Sequence, residues 1–347
     1  MSVDAVVLAA GGGRLAIRVS RRGTLITVIG WAAALSVAMM SLTLGEFPIT
    51  VSEVLDVLAG GGSLIDRDVV LGDRLPRALT GLGVGAAFAL SGAILQRIAR
   101  NPLVSPDVIG INSGAALAAL FVLTVLGGSG AMLVVSALAG ALFTAAVILL
   151  IAYQRGLYGF RLVLVGIGVA AMLTSGISYL LTRADVHEAM SAAAWLTGSL
   201  ANRDSLHVAV IGAALGIAAP ILAVLARQLR LLELGDDLAT SLGSRQGHRV
   251  ALVLVAVALA AMATAAAGPI GFVALVAPQI ARRLLAERHT GLAPAAAIGA
   301  LLVVGADLAA RLVFAPVGMP VGVVTAVLGA PVLLFLLARA NRIGSAG

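Results

Sequence analysis

Long apolar runs dominate this sequence and leave it one environment. Ten of them recur between residues 24 and 338. Most are about 20 residues long, the length a helix needs to cross a bilayer. Short arginine-bearing loops separate them. The chain is 61% hydrophobic and 11% charged, with a mean hydropathy of +1.09. Soluble domains carry roughly 25% charged residues, so a soluble bundle of this make-up would have almost no polar surface. The expected fold class is all-α: a polytopic membrane protein of about ten transmembrane helices.

Several chemistries are closed to it. With no cysteine, disulfides and thiolate metal sites are excluded. His187, His207, His248 and His289 are scattered without HExxH spacing, so neither a metal nor a cofactor is expected. All 23 basic residues are arginine. A phosphate-binding P-loop needs its lysine, so the chain has no such ATPase site of its own. Nucleotide-driven work would require another polypeptide. The arginines sit in loops between apolar spans, where orientation and contact with anionic lipid explain them better than nucleic acid does.

In chain order, residues 1–23 form an expected cytoplasmic tail with Arg14, Arg18, Arg21 and Arg22. The first span, 24–44, is too long for a signal-peptide core and lacks a clear cleavage site after it. Residues 45–73 hold six acids and form an external segment, where Thr50 with Ser52 suits the cap of a short helix. Further spans are expected over 76–96, 108–126, 131–152, 162–182, 207–226, 250–267, 270–285, 294–314 and 321–338, completing a transmembrane domain over 24–338. Residues 97–107 form a cytoplasmic loop. Residues 183–206 form an external segment with an interfacial helix near Trp195. Residues 227–249 form the longest cytoplasmic segment and 339–347 a cytoplasmic tail, so both termini lie in the cytoplasm. This layout leaves only Arg67, Arg74, Arg77, Arg183, Arg203 and Arg311 outside, in line with the positive-inside rule.

Three stretches carry further information. In 227–249, Leu234, Leu238 and Leu242 share a helix face, Asp236 and Asp237 favour a helix start, and Gly243 suits its end. At about two turns this helix cannot span a bilayer. It either rests on lipid or presents a knob to a partner. Arg74 and Arg77 flank Pro76, a residue suited to the first helical position. Arginine opposes the dipole there, which leaves headgroup anchoring or an external acidic partner. Arg311 could join them, with Asp307 placed four residues before it to neutralise it. Residues 268–283 describe a short span bent by Pro269 and Pro278. Gly81, Gly85, Gly92, Gly166 and Gly168 suit close helix packing.

The sequence resembles the FecCD family, the permease subunits of bacterial ATP-driven importers for iron–siderophore complexes, haem and cobalamin. The matching pieces are RLPR at 74–77, GAAFALSGAILQ at 85–96, NPLVSPDVIGINSGA at 101–115, the LG pairs at 234–243, GPIGFVALVAPQIAR at 268–282, ADLAAR at 306–311 and PVGVVTAVLGAPVLLFLL at 320–337. The resemblance implies a type II ABC importer permease fold in the cytoplasmic membrane. It implies a second permease subunit, identical or a sister chain, around one central path. Two ATPase subunits would sit inside and a substrate-binding protein outside. It assigns docking of the binding protein to Arg74, Arg77 and Arg311. It assigns coupling to the ATPase to Leu234, Gly235, Asp236, Leu238, Leu242 and Gly243. An inner gate falls at Gly159 and Phe160 by position. Ala274 and Gln279 stand where the family usually has glycine and histidine, so position 279 cannot titrate here.

The expected function is therefore translocation of ferric siderophores by alternating access, with haem or cobalamin as alternative cargo. The side of the span over 162–182 that faces the path is expected to touch the cargo, and it holds no charge. An ion-coupled secondary transporter would carry an ionisable residue near mid-membrane. Within the expected spans only Asp307, near an outer end, is acidic. A membrane enzyme would need a cluster of nucleophile, base or metal ligands, and the sequence holds none.

Overall fold

A computed structural model of the chain describes residues 5–10, 15–45, 47–153, 159–285, 291–315 and 318–344. Arg14, Arg288 and parts of the expected loops at 153–161, 287–293 and 315–320 lie outside the described residues. The segment ahead of the first span contains an antiparallel hairpin, β1 (Ala5–Ala10) with β2 (Leu15–Ser20). Among the described residues, everything after it is helix and loop.

Helix α1 (Arg21–Thr43) starts at Ser20, whose hydroxyl accepts from the Gly23 amide at 3.0 Å. Then come α2 (Val51–Leu58) and α3 (Leu64–Arg67). Thr50 caps α2 as its sequence suggested. Its amide donates to Glu53 at 2.7 Å and its hydroxyl accepts from the Glu53 amide at 3.4 Å. A π-helical stretch, Asp68–Arg74, leads without a break into α4 (Leu75–Ala99). The order continues α5 (Pro106–Ile109), α6 (Ile111–Val125), α7 (Ala131–Ala152), α8 (Gly159–Arg183), α9 (Val186–Leu196), α10 (Ser205–Leu232), α11 (Asp236–Ser241), α12 (Gln246–Ala267), α13 (Val273–Leu285), α14 (Leu292–Val313) and α15 (Val321–Gly344).

Among the described residues, seven helical stretches are long and apolar enough to cross a membrane. Ile111–Val125 and Val321–Phe335 are shorter apolar helices. Helix α13 is shorter still, about 20 Å at 1.5 Å per residue. Each expected span thus has a helix. Several boundaries moved by a few residues; α10 runs on to Leu232, α12 begins at Gln246, and α11 is six residues rather than the expected ten.

Helix α4 is the axis of the bundle. Some 89% of the most apolar part of its stretch is buried, against 11% for α8. It packs on α1, α10, α12, α13 and α14. Its residues are mostly small, so neighbours come close. At Gly85 it crosses α14 at Gly299, and a Cβ on either glycine would overlap the other's carbonyl oxygen. At Gly92 it meets the Ala274 carbonyl of α13 just as closely. Gly166 of α8 packs on Ile109 in the same way, whereas Gly168 has nothing within 4 Å. Close approach with no Cβ between is how helices gain contact when lipid offers no hydrophobic drive.

The third span departs from expectation. It is broken, and the loop before it does not stay at the end of the bundle. Ala99 lies against Gly159, the first residue of α8, but Gly110 lies against Ala170, about 16 Å further along that helix. Val104, Ser105, Pro106 and Ile109 are buried. Ser105 caps α5, Pro106 opens it, and Gly110 at φ 88° turns the chain into α6. These residues read as loop punctuation, yet they build a short helix and a kink inside the protein. Asp107 is carried inward too, so Asp307 is not the only acid within the bundle. The Asn112 side-chain amide donates to Asp107, and the Thr264 hydroxyl donates to the Asn112 carbonyl at 2.9 Å. This chain of polar groups satisfies itself, as buried polar groups must.

Candidate functional site

The end of the bundle where α4 begins collects charge from four parts of the chain. Arg77 Nε and Nη2 both reach the Asp307 carboxylate, at 2.9 and 2.8 Å. This fork is the geometry in which guanidinium and carboxylate bind most strongly. Asp307 is 3% exposed, so the pair is deep. Arg311 stands 3.5 Å from the same carboxylate and donates to the Ser41 hydroxyl and carbonyl of α1. Asp307 is thus shared, with Arg77 its principal partner. Arg203 lies within electrostatic range of Arg77 and donates to the Ser199 carbonyl at 2.9 and 3.1 Å. Burial, with the charge of Arg77 adding to it, holds the Arg203 guanidinium below its usual pKa, though Asp204 opposes the shift. Sequence reasoning left Arg203 out of the group, because nothing local to it points to residue 77.

Arg74 behaves differently. It is 5% exposed and its guanidinium turns into the chain, donating to Leu42 at 2.7 Å, to Thr43 at 3.4 Å and to Phe47. These carbonyls end α1 and begin the segment after it. Arg74 therefore ties the start of α4 to the end of α1, a job the sequence did not suggest. Arg74, Arg77, Arg203 and Arg311 outnumber Asp73, Asp204 and Asp307 around them, so the cluster carries a positive surplus.

The other end of α4 touches two elements. Pro278 lacks an amide hydrogen, so the Ala274 carbonyl one turn earlier in α13 loses its helical partner. Gln96 of α4 supplies one, its Nε2 reaching the Ala274 and Leu275 oxygens at 3.3 Å each. Gln279 donates to the Gln96 carbonyl at 2.6 Å and to the Pro102 oxygen at 3.2 Å. Arg282 donates to Gln279 at 2.6 Å. Glutamine at 279 thus acts as donor and acceptor in one buried chain. Gln96→Leu is expected to strand the Ala274 carbonyl and cost about 1–3 kcal/mol. A lowered melting temperature of the detergent-purified protein, absent in a control such as Gln228→Leu, would register it.

On its other side α4 meets the root of α11. Arg97 Nε lies 2.9 Å from Glu233, the residue that ends α10. Gly235, at φ 107° and ψ 159°, then turns the chain into α11. Such a conformation is essentially open to glycine alone. Leu234, Leu238 and Leu242 are each more than half exposed, while Ala239 on the opposite side is buried. Gly243, at φ 89°, ends the turn after α11. The coupling candidates thus share one short segment: Leu234, Leu238, Leu242 and Gly243 are exposed, Gly235 is buried at its root, and Asp236 begins the helix.

The two gate candidates separate. Gly159 is buried against Ile98 and Ala99 at the end of α4, while Phe160 is 79% exposed. Most of α8 beyond them is uncovered: Leu164, Ile167, Met172 and Tyr179 face outward. This chain alone does not close a gate there.

Comparison with known proteins fits these features. The FecCD transport family matches residues 33–339. The ferric enterobactin transport system permease protein FepG of Escherichia coli (strain K12) is 40% identical over 327 residues, covering 94% of this chain and 99% of that protein. The iron(3+)-hydroxamate import system permease protein FhuG of Bacillus subtilis (strain 168) is 40% identical over 88% of this chain and 94% of its own length. Among solved structures, an inward-facing metal-chelate type ABC transporter superposes with a TM-score of 0.81 at 28% identity, over 91% of this chain and 99% of that one. On this agreement over nearly its whole length, the chain belongs to the FecCD transport family.

Proposed function

We propose that this chain is the membrane-spanning permease subunit of an ATP-driven importer that carries ferric siderophores across the cytoplasmic membrane. Membership of the family and the names of its relatives support the cargo class. The observation that carries the mechanism is α11 with its flanks: Leu238 on the six-residue helix, Leu234 before its glycine-set turn and Leu242 at its end are all exposed. An apolar knob of this kind at a bundle end needs a partner to cover it. An ATPase subunit, which this lysine-free chain must borrow, is the occupant that fits.

In this reading α11 lies on the cytoplasmic side, with both chain termini, and the Arg77 cluster lies outside. The positive surplus there attracts an acidic face on a substrate-binding protein. Arg77 and Arg311 offer the charge, and Arg74 contributes by fixing the start of α4. A second permease copy or a sister chain covers the exposed side of α8, the cargo passes between the two, and Phe160 narrows the inner end. Lipid covers the remaining apolar exterior. ATP binding closes the ATPase pair, moves α11 and so reorients the helices around the path.

Leu234→Ser, Leu238→Ser and Leu242→Ser together test this. The triple variant is expected to insert and elute normally, to lose co-purification of the ATPase subunits, and to lower uptake of labelled ferric siderophore more than about tenfold. Co-purification at the wild-type level would refute the assignment of α11. Parallel uptake of labelled haem and cobalamin in a deletion strain would identify the cargo.

A further inference from the structure

We infer that the ion pair between Arg97 and Glu233 is the joint through which movement of α11 reaches the central helix α4. The inference rests on the coupling role proposed above for α11 and adds the residues that transmit its motion. Glu233 caps α10 and stands three residues before α11 begins. Its carboxylate lies 2.9 Å from Arg97 Nε, and the two side chains are only 12% and 11% exposed. A helix that merely rested on a membrane would need no buried charge at its root. Pulling such a pair apart is costlier than separating a surface pair, because water reaches the two charges poorly. The root of α11 and the end of α4 must therefore move together or not at all.

The surroundings favour a transmitted motion over a simple anchor. Gly235 follows Glu233 in its glycine-only conformation, and the Arg100 guanidinium lies beside it, 3.2 Å from where a Cβ would stand. The last turn of α4 thus touches the root of α11 on both sides of the turn. One residue earlier, Gln96 holds the two carbonyls of α13 next to Pro278. A displacement arriving at Arg97 is passed directly to the bent helix. It is also passed along α4, a continuous helix, to Arg77 and the charged cluster at the far end. Arg97 and Glu233 are accordingly positioning residues, and neither touches the cargo.

The test uses the whole importer, assembled with its ATPase and binding-protein partners in proteoliposomes. Arg97→Glu, Glu233→Arg, the exchange of the two, and Arg97→Lys are compared for ATPase co-purification, basal hydrolysis and siderophore moved per ATP hydrolysed. Each single reversal sets like charges together in a poorly hydrated site and is expected to lower the melting temperature; in the complex that assembles, ATPase content and basal hydrolysis stay within about twofold while transport per ATP falls about tenfold, the range of a typical coupling free energy. The exchange is expected to recover at least about half of the wild-type ratio, and Arg97→Lys to fall between. Single variants with an unchanged ratio would overturn the inference. So would an exchanged pair that assembles and melts like wild type without regaining transport. Single variants that lose the ATPase or fail to fold, with Arg97→Lys at the full ratio, would make the pair an anchor and likewise overturn it. A wild-type complex that binds no ATPase or moves no ferric siderophore would overturn the proposed function itself, and this joint with it, before any variant is compared.

Discussion

Gly92→Val is expected to leave no correctly packed subunit. Gly92 faces α13 from the buried side of α4, and an added Cβ would overlap the Ala274 carbonyl oxygen. The obstruction is backbone, so no flexible side chain can yield. To admit valine the two helices would have to part. Parting them would stretch the Gln96 bonds to Ala274 and Leu275, already 3.3 Å long, and leave both carbonyls without that donor. Overpacking a core costs about 1–3 kcal/mol where side chains can shift, and losing the carbonyl partner adds about 1–3 kcal/mol more. Together, at about 2–6 kcal/mol, they reach the low end of the whole stability of many domains, about 5–15 kcal/mol. Size-exclusion of a fluorescent fusion from solubilised membranes should show aggregate for Gly92→Val and a single symmetric peak for Gly168→Val. Nothing lies within 4 Å of Gly168. A normal peak for Gly92→Val would mean that the α4–α13 contact is looser than described.

This contact shows where sequence reading stopped. The spans were legible because bilayer thickness sets their length, and the turns because glycine, proline and arginine punctuate them. The Thr50 cap and a short helix between Leu234 and Gly243 were legible because their signals lie within one or two turns, although only Leu238 of the three leucines falls inside that helix. Helix neighbours were not. In a soluble bundle the apolar face of a helix points to its core. Here lipid-facing and core-facing sides are both apolar, so periodicity loses that meaning. Gln96 meets Ala274 across 178 residues and Arg77 meets Asp307 across 230. No spacing rule reaches so far. The inward turn at 100–110 was hidden for a related reason. A serine, two prolines and an aspartate look like surface, unless it is known that Asn112 and Thr264 stand ready to receive them.

The same long-range pairing changes what a charge reversal at the proposed dock would mean. Replacing Arg74 and Arg77 by glutamate should abolish uptake, but for two reasons at once. Arg74 would release three carbonyls, and a glutamate at 77 would face the buried Asp307. Even Arg77→Gln is expected to cost about 3–5 kcal/mol, because it removes the principal partner of a deeply buried carboxylate. Arg311 stays 3.5 Å away and recovers only part of that loss. Adding Asp307→Asn removes the stranded charge and leaves two amides able to bond each other. The double variant Arg77→Gln with Asp307→Asn should therefore regain stability to within about 1 kcal/mol of wild type. It lacks one guanidinium and one carboxylate, so the net charge of the cluster is unchanged and only the forked donor is missing. If Arg77 engages an acidic group on the binding protein, uptake by this stable double variant should remain about tenfold low, as expected when a charge-assisted contact is lost at an interface. Uptake that returns together with the melting temperature would make Arg77 a purely internal ion-pair partner, and docking would then fall to Arg311 and Arg203.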